Sequence, residues 1–393
     1  MALQALIGAR IFDGTEYHAG AALVLGGGQV AEICAEAAVP NGARITRLAG
    51  GLIAPGFVDA QVNGGGGVLL NDAPTATAMQ QIADAHAAFG TTSLLPTLIS
   101  DRPAAVTAAI AAAVQAVAAG QGVAGLHLEG PHLAPARKGT HLPAHLRPMT
   151  AADEAELMAA VAALPLLVLT VAPEQVSLAQ VARLAAAGAV VCLGHTDCDM
   201  ATAQRYFAAG ARGVTHLFNA MSGLGHRAPG LVGAALDTGT AWGGIIADGT
   251  HVDPASLRIA LRAKRGPGRL FLVTDAMSLV GTAGKSLTLD GRKIRRESVG
   301  GGSRLTLADG TLAGSDLDMA SAVRFAAGPL EQGEAEALRM ASLFPAQFLR
   351  LSDRGHLAPG ARADLVYLDA ALRLLAVWRG GALFPAAKDL RGR

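Results

Sequence analysis

Three cysteines in 393 residues, Cys34, Cys192 and Cys198, are too few and too scattered for a disulfide framework, and no CxxC pair marks a zinc knuckle. A reducing compartment, and so a cytoplasmic location, is expected. Charge is scarce at 16%, against 51% hydrophobic residues, which excludes an intrinsically disordered chain and a charged coiled coil. Neither sign is in excess, since Lys+Arg 32 against Asp+Glu 31 leaves +1. That balance supplies no general electrostatic footprint for nucleic acid or an anionic membrane, so any bound anion must be held by particular residues. The start, Met1 to Arg10, lacks the basic region, long apolar stretch and cleavage site of a signal peptide.

A strongly apolar run of spanning length is also missing. No charge falls between Arg102 and Glu129, but most of that stretch is alanine, and Gln115 and Gln121 interrupt it. Val106, Ile110, Val114 and Val117 recur at helical spacing, which predicts an amphipathic helix on a core and not a membrane span.

At roughly 150 residues per domain, the length allows two or three domains or one large barrel with an appendage. From Leu6 to Leu52 and again from Leu357 to Trp378 the chain reads as short strands and turns, with Gly26-Gly27-Gly28 suiting a hairpin. Between these ends, eight β-prone runs alternate with alanine-rich helical segments. The runs are Phe57–Asn63, Thr92–Thr97, Gly125–Glu129, Leu167–Glu174, Val190–His195, Gly213–Asn219, Gly244–His251 and Leu270–Asp275. Eight βα units predict a (β/α)8 TIM barrel. A doubly wound sheet is the competing architecture, but Gly64-Gly65-Gly66-Gly67 is followed by a loop before a helix beginning near Thr75, so the phosphate-turn geometry is absent. A further interruption, with Asp290-Gly291 and Gly300-Gly301-Gly302, predicts an inserted β-hairpin at about 285–312.

Barrel chemistry gathers at the C-terminal ends of the strands, where side chains from different strands converge. Glu129, His195, His216, His251 and Asp275 all fall at that rim. Singly, each histidine reads as a hydrogen-bonded structural group and the aspartate as a helix cap. Together, Glu129, His195 and His216 make a three-ligand set for a borderline divalent cation, with a position left open for water. Asp275 is then the candidate proton carrier.

With these residues in place, the chain resembles the amidohydrolase superfamily and, within it, the N-acetylglucosamine-6-phosphate deacetylase family. The general part of the resemblance is Gly51-Leu-Ile-Ala-Pro-Gly-Phe-Val-Asp59 and Gly360-Ala-Arg-Ala-Asp-Leu-Val366. The specific part is Gly125-Leu-His-Leu-Glu-Gly-Pro131, Lys138-Gly-Thr-His141, Gly194-His195, Thr215-His-Leu-Phe-Asn-Ala-Met221, Pro229-Gly-Leu231, Asp248-Gly-Thr-His251 and Thr274-Asp-Ala276. The resemblance implies a small β-sandwich domain from both chain ends (1–53 and 355–393) around a metal-dependent barrel (54–354). It also implies removal of the acetyl group from N-acetyl-D-glucosamine 6-phosphate, with the galactosamine epimer as the close alternative. A barrel that binds an amino-sugar phosphate without hydrolysing it is the alternative of a different class, and dihydropyrimidinase-like ring opening is a further one.

By the resemblance, Glu129, His195 and His216 hold the metal, Asp275 is the acid/base, and His141 polarises the acetyl carbonyl. Substrate contacts fall on Thr140 or His141, Asn219, Ala220, Arg227, Asp248, His251 and the Leu312-Ala313-Gly314 segment. Arg227 and His251 suit a phosphate dianion. His132 either touches the sugar or lines its loop. Where most amidohydrolases end the first strand with His-x-His, this chain has Gln61 and Asn63, as in one branch of the family it resembles, and neutral amides are poor zinc ligands. One metal ion per subunit is therefore expected, zinc first, with iron, manganese or cobalt as alternatives. A homodimer is implied, with a phosphate contact across its interface as one arrangement.

Overall fold

The computed structural model describes residues 3–299 and 302–385. Helix starts are set by local polar groups. Thr75 accepts from the Ala78 N–H ahead of Ala76–Ala87, while Thr150 with Asp153 and Ser177 with Gln180 form reciprocal caps ahead of Ala151–Ala163 and Leu178–Ala187. Gly188 ends the last of these at φ 118°, a backbone that side chains with a Cβ rarely take.

The strands between the helices are Phe57–Val62, Thr91–Ile99, Leu126–Glu129, Leu167–Val171, Val190–Leu193, Gly213–Val214, Trp242–Ile245 and Leu270–Leu272. Each of the eight predicted runs overlaps one, although Thr91–Ile99 is longer than its run and Trp242–Ile245 begins two residues before its own. They pair in chain order and in parallel. The sheet closes where Val62 bridges Ala276 and the Asp275 N–H donates to the Gln61 carbonyl at 3.0 Å. The result is a TIM barrel. Leucine, valine and isoleucine from all eight strands join the helices' inner faces in one apolar core, and burial at about 25 cal/mol per Å² makes that core the main stabilising term.

The alanine-rich stretch forms the helix Pro103–Ala118, and its buried face departs from the predicted stripe at one residue, Val114. Val106, Ala109, Ala112, Ala113 and Ala116 are buried and Ile110 and Val117 pack against the core, as the stripe predicts, whereas Val114 is 38% exposed. The small residues face inward and leave the larger Val114 outside. Among the described residues no helix is long and apolar enough to cross a membrane.

The two ends build the small β-sandwich. One sheet orders Gln29–Ala35, Ala21–Gly26, Gln4–Ile7 and Arg44–Arg47; the other orders Ala382–Phe384, Leu374–Arg379, Leu365–Leu368, Leu52–Pro55, Arg10–Phe12 and Tyr17–His18. Leu6, Ile11, Leu23, Ile53, Leu365 and Trp378 fill the space between. Residues 386–393, part of the expected C-terminal contribution, lie outside the described residues.

The insertion is larger than the predicted hairpin. It is a three-stranded antiparallel sheet, Ser286–Leu289, Arg292–Val299 and Gly302–Thr306, because the chain reverses a second time between Val299 and Gly302. Gly300 and Gly301 lie outside the described residues. The first reversal is Asp290-Gly291, at φ 50° and 73°, as a tight hairpin turn requires. Leu287, Leu289, Ile294 and Leu305 pack on Leu69, Ile99, Met277 and Ala313, so the insertion rests on the barrel's functional rim.

Candidate active site

A cavity of about 250 Å³ opens at the C-terminal ends of the strands. Glu129 is the last residue of the third strand, and His195, His216 and Asp275 follow the fifth, sixth and eighth. All four are buried. His195, His216 and Asp275 have φ of 48°, 29° and 52°. Non-glycine residues rarely take that conformation, and such strain collects at functional sites. Here the chain switches from strand to left-handed backbone and turns each side chain towards the others.

The distances are short. Glu129 Oε1 lies 2.9 Å from His216 Nε2 and 3.2 Å from His195 Nε2, and the two ring nitrogens are 3.1 Å apart. The Arg137 carbonyl accepts from His195 Nδ1 at 2.8 Å, which fixes the tautomer and leaves Nε2 as a bare lone pair. Electron-rich atoms this close repel unless a positive charge sits among them. A carboxylate and two imidazoles fit a borderline divalent cation such as zinc.

Glu129, His141 and His195 also bring ligand atoms within 4.8 Å of one another, so His141 must be compared with His216 as a ligand. Hydrogen bonding separates them. The Ser100 N–H, which can only donate, reaches His141 Nδ1 at 3.2 Å, and Ser100 Oγ lies 2.8 Å away. The ring proton therefore belongs on Nε2, making that atom a donor and no ligand. Burial pushes the His141 pKa down to about 3, with His195 adding to the effect, so the ring is neutral near pH 7.

The two carboxylates differ. Burial would raise the Glu129 carboxyl, but the adjacent His195 and His216 outweigh it and hold it well below the ordinary range. Burial pushes the Asp275 carboxyl up, and the Glu129 charge pushes it further. A carboxylate kept ionised beside one raised towards neutrality suits a ligand beside a proton carrier.

Gln61 and Asn63 do not stand idle. Gln61 Nε2 donates to Glu129 Oε1 and to Asp275 Oδ1, each at 3.1 Å, and Asn63 Nδ2 donates to Asp275 Oδ1 at 2.7 Å.

Thr140, His141, Asn219, Ala220, His251, Leu312 and Gly314 line the cavity. Ala313 is buried behind it in the insertion's apolar cluster. Asp248 does not line the cavity; its carboxylate receives His251 Nδ1 at 2.6 Å and the Thr250 and His251 N–H groups, which anchors His251. Arg227 stands on an exposed loop and is not among the cavity's lining residues. His132 Nδ1 meets the Arg147 carbonyl at 3.0 Å and stays outside the cavity, so it belongs to its loop.

Sequence reasoning missed Ser100 and the lining residues Ile99, Gly139, Met277 and Thr311. Ser100 was within reach of the strand-end rule, because it follows the second strand directly. It also missed His127, whose ring joins Thr170 Oγ1 at 2.7 Å and Thr97 Oγ1 at 3.3 Å inside the barrel. Burial pushes that ring down to about 4.

The amidohydrolase family model matches residues 52–384. The chain belongs to the amidohydrolase family. This amidohydrolase is accordingly a hydrolase of amide C–N bonds. It is 44% identical over 348 residues to an N-acetylgalactosamine-6-phosphate deacetylase of Shewanella sp. (strain ANA-3), covering 88% of this chain and 86% of that one. It is 38% identical over 347 residues to an N-acetylglucosamine-6-phosphate deacetylase of Homo sapiens, covering 85% and 83%. The crystal structure of N-acetylglucosamine-6-phosphate deacetylase from Pasteurella multocida superposes with a TM-score of 0.91 at 29% identity, covering 97% of this amidohydrolase and 99% of that chain.

Proposed function

We propose that this amidohydrolase removes the acetyl group from N-acetyl-D-glucosamine 6-phosphate, giving glucosamine 6-phosphate and acetate in amino-sugar catabolism. The observation that carries the reading is the triangle of Glu129 Oε1, His195 Nε2 and His216 Nε2, at 2.9–3.2 Å, in a cavity that Asp275 also lines. Those three residues would hold one divalent cation, zinc first, with iron, manganese or cobalt as alternatives. Bound there, the ion supplies Lewis acidity for the acyl oxygen and an acidified water.

The chain's own residues do the rest. His141 Nε2–H donates to the acyl oxygen as negative charge develops on it, where a preorganised donor is worth most. Asp275 takes the proton of the attacking water and returns it to the departing amine nitrogen. His251, anchored by Asp248, and Arg227 hold the phosphate, while Thr140, Asn219, Ala220 and the Leu312-Ala313-Gly314 segment shape the sugar site. Arg227 stands outside its own chain's cavity, which supports a contact from one subunit of a homodimer to the phosphate of the other. The barrel unit 54–354 carries these groups, and the sandwich of 1–53 and 355–393 supports it. The protein is cytoplasmic in this reading.

The 44% identical relative favours a second reading, the galactosamine epimer as substrate. Chemistry and phosphate grip would be unchanged. Acetate release from both epimers, with and without the 6-phosphate, tests the proposal. A kcat/KM at least about tenfold higher for the glucosamine epimer is expected; the reverse ratio establishes the second reading, and no acetate from either epimer overturns both.

A further inference from the structure

Asp275 has one well-anchored oxygen. Oδ1 accepts from Asn63 Nδ2 at 2.7 Å and from Gln61 Nε2 at 3.1 Å, and the same Gln61 nitrogen reaches Glu129 Oε1 at 3.1 Å. Both amides are buried, Gln61 at 2% and Asn63 at 3% exposure. The amide orientations follow from chemistry. Asn63 Nδ2 also approaches the Asp275 carbonyl at 3.3 Å; a carbonyl can only accept, so the NH2 end must face Asp275. Gln61 Nε2 likewise lies between two carboxylate oxygens.

We propose that Gln61 and Asn63 are positioning residues for the deacetylation: their NH2 groups anchor Asp275 Oδ1 and tie it to Glu129, so that Oδ2 is the oxygen that carries the proton. The inference rests on the deacetylase reading. Two carboxylates held side by side need positive charge between them, and the polarised NH2 group of Gln61 supplies it from the first barrel strand. Gln61 serves both carboxylates, and Asn63 serves Asp275 alone. Their removal therefore has different consequences.

The test replaces each amide by an apolar side chain of similar shape, Asn63→Leu and Gln61→Met, and measures kcat, KM and zinc affinity on the zinc-loaded full chain. For Asn63→Leu the expected result is a kcat lower by about tenfold or more, with KM within about threefold and zinc affinity unchanged. For Gln61→Met, zinc affinity also falls by about tenfold, the scale of losing a hydrogen-bonding partner of a ligand. Asn63→Ser and Asn63→Ala form a second pair that differs by one hydroxyl donor, and they carry the comparison if the leucine variant does not fold. The serine variant is expected to regain several-fold in kcat over the alanine variant. A merely space-filling role moves neither the Ser-to-Ala ratio nor the difference in zinc affinity between the two sites.

Wild-type kcat in Asn63→Leu, equal kcat in the serine and alanine variants, or equal zinc loss at both positions overturns the inference. A wild-type chain that releases no acetate overturns the deacetylase reading instead, and the two failures are thereby distinct.

Discussion

Replacing His141 with phenylalanine separates its two possible roles. The side chain is 2% exposed, and its ring centroid lies 4.5 Å from that of His195, so phenylalanine keeps the ring contact and removes only the nitrogens. With its pKa pushed down to about 3 by burial, the ring carries no charge at pH 7. The group lost is therefore a neutral N–H donor, not a positive charge. Deleting one positioned donor to a developing oxyanion costs about 10²- to 10³-fold in kcat, or about 2.7–4 kcal/mol, and a neutral donor places the expectation at the lower end, about 100-fold. Acetate release at saturating substrate and zinc gives kcat, and elemental analysis of the same sample gives metal content. The variant should keep one ion per chain. Loss of the ion would make His141 a ligand, and a kcat within about threefold of wild type would remove it as a donor; either result refutes the reasoning.

Asp275→Asn should retain the metal and lose about 10²- to 10⁴-fold in kcat, the usual range for a missing proton carrier; near-normal turnover would contradict its role. His216→Ala should weaken zinc at least about 100-fold, because removing a direct ligand exceeds the cost of removing a ligand's partner, and metal analysis after dialysis checks it. Asp59 is fully buried, and burial pushes its carboxyl up to about 7, although Thr274 and the backbone of Gln61 donate to it. A folded-state pKa above the unfolded value means that the folded chain holds the proton more tightly. Its contribution is greatest below about pH 4 and is lost as pH rises through about 7. Asp59→Asn should therefore flatten the fall in denaturant stability between about pH 4 and 7, and an unchanged slope would contradict the assignment.

Much of the barrel was legible because strand periodicity and the alanine-rich helices repeat eight times, and because Glu129, His195, His216 and Asp275 each sit at a strand end. The rest depended on contacts that no local pattern encodes. The roles of Gln61 and Asn63 as donors became visible only when Asp275 stood beside them, 212 to 214 residues away along the chain. Ser100 sets the His141 tautomer through a backbone N–H, and any residue type carries one. The third strand of the insertion was missed because the glycine-rich sequence at 300–302 reads as loop, although Gly302 begins a strand. The helix Pro103–Ala118 was found with Val106, Ile110 and Val117 on its core side, but Val114 was misplaced, since the alanines that pack inward beside them contribute little to an apolar stripe.

The most direct test of the central claim is a zinc titration of the metal-stripped protein, with acetate release from the 6-phosphorylated N-acetylhexosamine as the readout. Activity should begin near zero and rise linearly to a break at one zinc per chain. Full activity before zinc is added, or a break at two equivalents, would contradict a single cation held by Glu129, His195 and His216.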